Sequence, residues 1–264
     1  MIARALLACL LASAACVNTT GGALITFNAA AAGPADAVAG QPLTFTMPSG
    51  YAVTLTEARL HIGAVYLNLS QPLSGAQATS CVLPGVYDGE VTTGLDVDVL
   101  DPTPQPFPAP GLGTAGNAVT GEVWLTGSGD VNAISDPTVI AQVTGTATKD
   151  GVDYPFTGSI TISDNRLVPP ATPALPAANP PCKQRIVSPI PVDITLAPGG
   201  SLLVRVDPRA WFLNYGVDFA SLTQVATDPP LYQIQDSSDA TPDLAFYNGV
   251  RSRLGVFTFE WRQL

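Results

Sequence analysis

TVIAQVTGTATKDGVDYPFTGSITISD, residues 138–164, is the stretch whose reading decides the fold. Val139, Ala141, Val143 and Ala147 alternate with polar residues; after Lys149-Asp150-Gly151 the alternation resumes at Val152, Tyr154, Phe156, Ile160 and Ile162. A strand points successive side chains to opposite faces, so period two on both sides of Asp-Gly predicts two antiparallel strands joined by a tight turn.

The same signal recurs outward from this hairpin. In VDITLAPGGSLLVRVD (192–207), Val192, Ile194 and Leu196 alternate, Pro-Gly-Gly turns the chain, and Leu202, Val204 and Val206 alternate back, which predicts a second hairpin. TGEVWLTG (120–127) and the C-terminal GVFTFEWRQL supply further strands, the latter with Phe257, Phe259 and Trp261 on one face. Upstream, GYAVTLTEARLHIGAVYLNLS (50–70) changes parity twice: Val53 and Leu55 are odd, Ala58, Leu60 and Ile62 even, and Val65, Leu67 and Leu69 odd again. Each switch requires a bulge or bend if this is strand. A helical alternative places Ala58, Ile62, Val65 and Leu69 on one face.

The chain of 264 residues is 46% apolar and 12% charged, with material for a large core, and its 24 Gly and 25 Pro disfavour a helical fold. DPTPQPFPAPGLG (101–113) and VPPATPALPAANPPC (168–182) are proline-rich and read as extended connections. Helix is scarce: TPDLAFYNGVRSRL (241–254) has Thr241 as N-cap, Pro242 at the first position, Asp243 near the positive dipole end, and Leu244, Tyr247, Val250 or Arg251, and Leu254 at helical spacing. One or two turns are also expected in DPRAWFLNYG (207–216). The fold expected is all-β: an antiparallel β-sandwich with one or two short helices.

The N-terminus, MIARALLACLLASAAC, has one Arg, an apolar run from Ala5 to Ala12, and small residues before Cys16. That is the layout of an export signal, and it is too short to span a bilayer. The stretch resembles a bacterial lipoprotein signal, in which the cysteine after the cut is acylated. The resemblance covers residues 1–16 only and implies lipid attachment at Cys16; Val17 in place of Asp implies an outer-membrane destination. The expected organisation is a signal peptide at 1–15, a lipid-anchored tether at 16–42 with Leu24 to Phe27 able to add an edge strand, and a β-sandwich domain at 43–264. Cys9 leaves with the signal and Cys16 carries lipid, so Cys81 and Cys182 remain as a pair in an oxidising compartment, and a disulfide between them is expected.

Charge narrows the partners. The formal charge of −10 becomes −11 when Arg4 leaves with the signal, a surface that repels phosphate backbones and argues against nucleic acid. Neither a phosphate-cradling loop nor a dinucleotide fingerprint is present. His61, the only histidine, shares a strand face with Glu57 and Arg59. It is read as a surface residue in a cross-strand pair with an acid, against two functional readings: a copper ligand with Met47, or the base for Ser128 with Asp130 nearby in a hydrolase. Asp236, Asp239 and Asp243 gather before the helix as candidate Ca²⁺ ligands, with a weaker candidate at Asp96, Asp98 and Asp101. The glutamates Glu57, Glu90, Glu122 and Glu260 could supply a glycosidase pair only at a separation the sequence does not give. Trp211, Phe212 and Tyr215 in AWFLNYG form either a core plug or a binding lip, and Tyr51 and Trp124 are further aromatics able to stack on sugars. The functional expectation is a non-catalytic binding or structural module of the cell envelope contacting a protein, glycan or small ligand. The alternatives are a periplasmic Ca²⁺- or copper-binding protein and a hydrolase.

Overall fold

The computed structural model describes residues 22–70, 87–127, 135–163, 166, 182–237 and 239–263. The signal segment, Cys9, Cys16, the Cys81–Cys182 pairing, Ser128, Asp130 and the proline-rich stretch up to residue 181 lie outside the described residues. The strands in the first half are β1 (Leu24–Ala32), β2 (Leu43–Thr46), β3 (Ala52–Ile62), β4 (Ala64–Asn68), β5 (Tyr87–Val91), β6 (Leu95–Asp98), β7 (Gln105–Pro106), β8 (Gly111–Thr114) and β9 (Gly116–Trp124). Those in the second are β10 (Val139–Lys149), β11 (Val152–Thr161), β12 (Ile186–Leu196), β13 (Gly200–Val206), β14 (Thr223–Thr227), β15 (Pro230–Ile234) and β16 (Phe257–Gln263). Helix is confined to α1 (Cys182–Arg185), α2 (Arg209–Leu213), α3 (Thr241–Val250) and a 3₁₀ turn at Phe219–Ser221.

The fold is all-β with few short helices, in two sheets that share one core. One sheet has nine strands in the order β12-β9-β4-β5-β8-β1-β13-β16, with β7 added on β1; the other has seven, β14-β15-β11-β10-β3-β2, with β6 added on β3. Both are mixed rather than purely antiparallel, because β1 runs parallel to β13 and β11 parallel to β15. The nine-stranded sheet curls almost into a barrel, its terminal strand β16 lying beside β12 at the opposite end of the order.

The 138–164 stretch forms the β10–β11 hairpin, with Lys149 opposite Val152 and both Asp150 (φ 52°) and Gly151 (φ 77°) in the left-handed region that a two-residue turn of this hand requires. A bulge at Ile140 puts that residue in the core and leaves Val139 exposed. Residues 52–68 are strand, and both parity switches have physical causes. Thr144 pairs with Glu57 and Gly145 with Leu55, so Thr56 is the extra residue of a bulge. At Gly63 the chain leaves the seven-stranded sheet and enters the nine-stranded one. There the Thr126 carbonyl lies too close for any Cβ.

The second expected hairpin is corrected. Its strands and turn exist, but β12 pairs with β9 while β13 pairs with β1 and β16. The C-terminal strand is wedged between the two arms, and its rings Phe259 and Trp261 pack against the core. The tether reading is corrected from Leu24 onward. β1 is a nine-residue strand inside the sheet, antiparallel to β8 on one side and parallel to β13 on the other. The small residues Ala29, Ala31 and Ala32 are buried there. The loop after it is pinned: Gly33 N–H donates to the Asp101 carbonyl (2.8 Å), and Arg209 donates to the Asp36 carboxylate (2.7 and 2.9 Å).

Helix α3 begins at Thr241 with Ala240, not Thr241, in the cap position and Pro242 in its first turn. Its buried residues include Ala245, Phe246, Gly249 and Val250 as well as Tyr247, because α3 is packed on α2 and on β15; Leu254 lies past its end and is exposed.

Seating of β16 is directly testable. A Cβ at Gly121 of β9 would lie 2.8 Å from the Phe259 ring. Gly121→Val is expected to lower the unfolding free energy by about 1–3 kcal/mol in urea titrations; an unchanged midpoint would show that Phe259 does not fill the space beside β9.

Candidate functional site

The singled-out residues fall into three groups. His61 is on the expected strand face, and its Nδ1 lies 2.6 Å from Oδ1 of Asp96, its cross-strand neighbour on β6. Arg59 donates to Glu57 at 3.1 Å along the same face. A shallow recess of about 260 Å³ adjoins Arg59, His61 and Asp96. Met47 is buried in the core, and its N–H donates to the Tyr51 carbonyl just before β3 begins. Ten residues of strand therefore separate it from His61, on the order of 30 Å, which rules out a shared copper site.

Asp236 accepts from Thr161 Oγ1 (2.7 Å) and from Arg166, while Asp243 is buried and accepts the Gln235 N–H (2.9 Å). Asp239 donates its own N–H to Ser237 Oγ (3.0 Å). Among the described residues no three His, Cys, Asp or Glu side chains converge as a metal would need, so the Asp236–Asp243 and Asp96–Asp101 groups do not form the expected Ca²⁺ shell. In AWFLNYG the lip reading fails for Trp211 and Phe212, both wholly buried. Phe212 stacks on Phe219 (5.7 Å) and meets Phe156 of β11 and Phe45 of β2, so these rings plug the seven-stranded sheet; of the three expected lip residues, Tyr215 alone is exposed.

A different constellation emerges on the outer face of the nine-stranded sheet. Val65, Leu67, Val91 and Val123 point into the core. The intervening positions Tyr66, Glu90, Glu122 and Trp124 therefore project outward. Tyr66 of β4 is directly opposite Glu90 of β5 and Glu122 of β9, which puts the two glutamates two strands apart on one face, about 10 Å between Cα atoms. The Tyr66 ring lies 4.6 Å from Trp124 and 4.9 Å from Tyr87.

Although outward, Glu122 is only 1% exposed. Its carboxylate accepts from Trp124 Nε1 (3.2 Å) and Ser188 Oγ (3.2 Å), and Asn68, itself fully buried, faces it. Burial pushes the Glu122 carboxyl up, outweighing those hydrogen bonds, and burial raises Asp88 likewise. Tyr87 is pushed up to about 12 by burial first and then by Glu122 and Tyr66.

Beside this cluster a groove of about 650 Å³ crosses β5, β8 and β1, walled by Tyr87, Glu90, Leu112, Leu24, Thr26 and Thr114. Leu24 is 90% exposed and Leu112 53%, so the groove presents apolar surface flanked by carboxyl groups. Trp124 and both glutamates are visible as residue types in the sequence, whereas Tyr66 and Tyr87 belong to no motif. Their signal is the outward place of Tyr66 between Val65 and Leu67.

No protein-family model, curated protein or solved structure matches this chain. Among the described residues no helix is long and apolar enough to cross a membrane.

The raised carboxyl of Glu122 has a signed consequence. The folded state holds this proton more tightly than the unfolded chain, so the stability it contributes is complete below the ordinary glutamate range and is lost as pH rises through the folded value. Glu122→Gln is therefore expected to gain melting temperature relative to the parent as pH rises from 4.5 to 8. A gap that is constant or shrinks over that interval, measured by thermal denaturation, would contradict the assignment.

Proposed function

We propose that this protein is an exported, lipid-anchored, non-catalytic binding module of the bacterial cell envelope that takes a neutral glycan chain along the groove of its outer sheet face. The supporting observation is the meeting of that groove with the Tyr66–Tyr87–Trp124 ring cluster and the flanking Glu90 carboxyl group. Aromatic faces stack on the apolar side of sugar rings, and carboxyl groups bond their hydroxyls. Glu90 at the rim and a net charge of −10 disfavour an anionic ligand at this groove. The ligand thus meets a sheet face rather than loops at the sandwich ends.

Binding is favoured over glycoside hydrolysis by the position of Glu122. A general acid must reach the leaving oxygen, whereas this carboxyl is buried and has both oxygens engaged by Trp124 and Ser188. Its work is to hold β9 to β12.

Calorimetric titration with neutral hexasaccharides of glucose and of N-acetylglucosamine tests the reading. Saturable binding is expected for at least one series, weakened about ten-fold or more by Tyr87→Ala and abolished by Leu112→Arg, with no cleavage of the sugar. Lack of saturable binding, or equal affinity in both variants, would reject the groove.

The anchor has its own test. Cys16→Ser should move the protein from the membrane fraction to the soluble fraction and abolish incorporation of labelled palmitate; unchanged fractionation would refute lipid attachment at that residue.

A further inference from the structure

A second site, independent of the glycan reading, lies at the loop following α3. Two adjoining recesses of about 430 and 400 Å³ share Arg253 and Leu254 as a common wall. The larger is lined chiefly by Val119, Pro189, Pro191 and Leu254, and the smaller by Ser188, Tyr215, Arg251 and Ser252. One end is therefore apolar and the other polar and basic. Among the described residues no Asp or Glu lines either recess. The Ser188 hydroxyl donates to the buried Glu122 (3.2 Å).

The loop is preorganised. Arg251 Nε donates to the Gln184 carbonyl (2.5 Å), Ser252 N–H to the Gly249 carbonyl (3.1 Å), Leu254 N–H to Ser252 Oγ (3.1 Å), and Asn214 Nδ2 to the Leu254 carbonyl (2.8 Å). Gly255, at φ 72°, provides the turn back into β16. Against this fixed background the Arg253 side chain is left over. The other arginines among the described residues are held by carboxylates or carbonyls: Arg59, Arg166, Arg205, Arg209 and Arg262 by acids, Arg185 and Arg251 by carbonyls. Lys149 lies over the Tyr51 ring. In a chain with 21 acidic and 11 basic side chains, a guanidinium without an acid partner at the junction of an apolar and a polar recess is set to receive an anion from outside.

We infer that this double recess binds an amphipathic carboxylate, the head on Arg253 beside Tyr215 and Ser252, the apolar tail over Val119, Pro189, Pro191 and Leu254. The net charge of −10 opposes any anion at long range, so the preference for this loop rests on the local Arg253 guanidinium alone.

Decanoate below its micelle concentration, with decanol as the uncharged control, tests this by calorimetry on the full-length protein. Decanoate should bind saturably and more tightly than decanol, and added salt should weaken it. Arg253→Gln should cost about ten-fold or more for decanoate and nothing for decanol; Arg253→Lys should fall between, and Leu254→Ser should weaken both probes. Arg253 is exposed, so these variants are expected to melt as the parent does. Equal affinity for decanoate and decanol, an unaltered Arg253→Gln, or no saturable binding of decanoate would each overturn the inference. Tyr87→Ala, which disables the groove, should leave decanoate binding intact, so failure at one site is distinguishable from failure at the other.

Discussion

Glycine against aromatic ring is the contact on which the architecture depends. Gly111 lies against Phe27, Gly121 against Phe259 and Gly200 against Trp261, each so closely that a Cβ would displace the ring. Phe27 and Trp261 meet edge to face at 5.3 Å, linking the set across β1 and β16. Removing side chains from three strands makes room for large rings from their neighbours, which lets the nine-stranded sheet bend sharply and still fill its interior. The C-terminal strand carries two of these rings and sits between β13 and β12, so the last residues of the chain complete the wall.

Closure of that wall determines what remains outside. Once Val65, Leu67, Val91 and Val123 are committed to the interior, strict alternation sends Tyr66, Glu90, Glu122 and Trp124 outward together. Rings cover Glu122 and give it a low-dielectric setting, and the bond to Ser188 ties β9 to β12. The groove on β5, β8 and β1 is walled by the outer side chains Glu90 and Leu112, which pair across β5 and β8.

Features set by neighbouring residues were legible in the sequence. Alternation around Asp150-Gly151 located the first hairpin, and two parity changes located the Thr56 bulge and the sheet crossing at Gly63, because a slipped period has no other cheap explanation. Features set by distant partners were not. The turn at Pro198-Gly199 looks like a hairpin until a strand some 60 residues later takes the place between its arms. β1 is poor in large side chains because Ala29, Ala31 and Ala32 sit in a crowded sheet interior, and that same composition reads as tether in isolation. Trp211 and Phe212 sit in a connecting segment, yet Phe246 of α3 covers Trp211 and the rings over β11 and β2 bury Phe212. The outer-face cluster was invisible for a related reason: Tyr66, Glu90 and Glu122 are brought together by register alone, and register is a property of pairs of strands.

Native-state hydrogen exchange on the intact protein tests the central claim most directly. If the seated C-terminal strand holds the curled sheet closed, the amides of Phe257–Gln263 that bond to β13 exchange only with global unfolding, at the same free energy as the ladder amides of Gly116–Trp124. Exchange of β16 through a separate, lower-energy opening while β9 stays protected would contradict it.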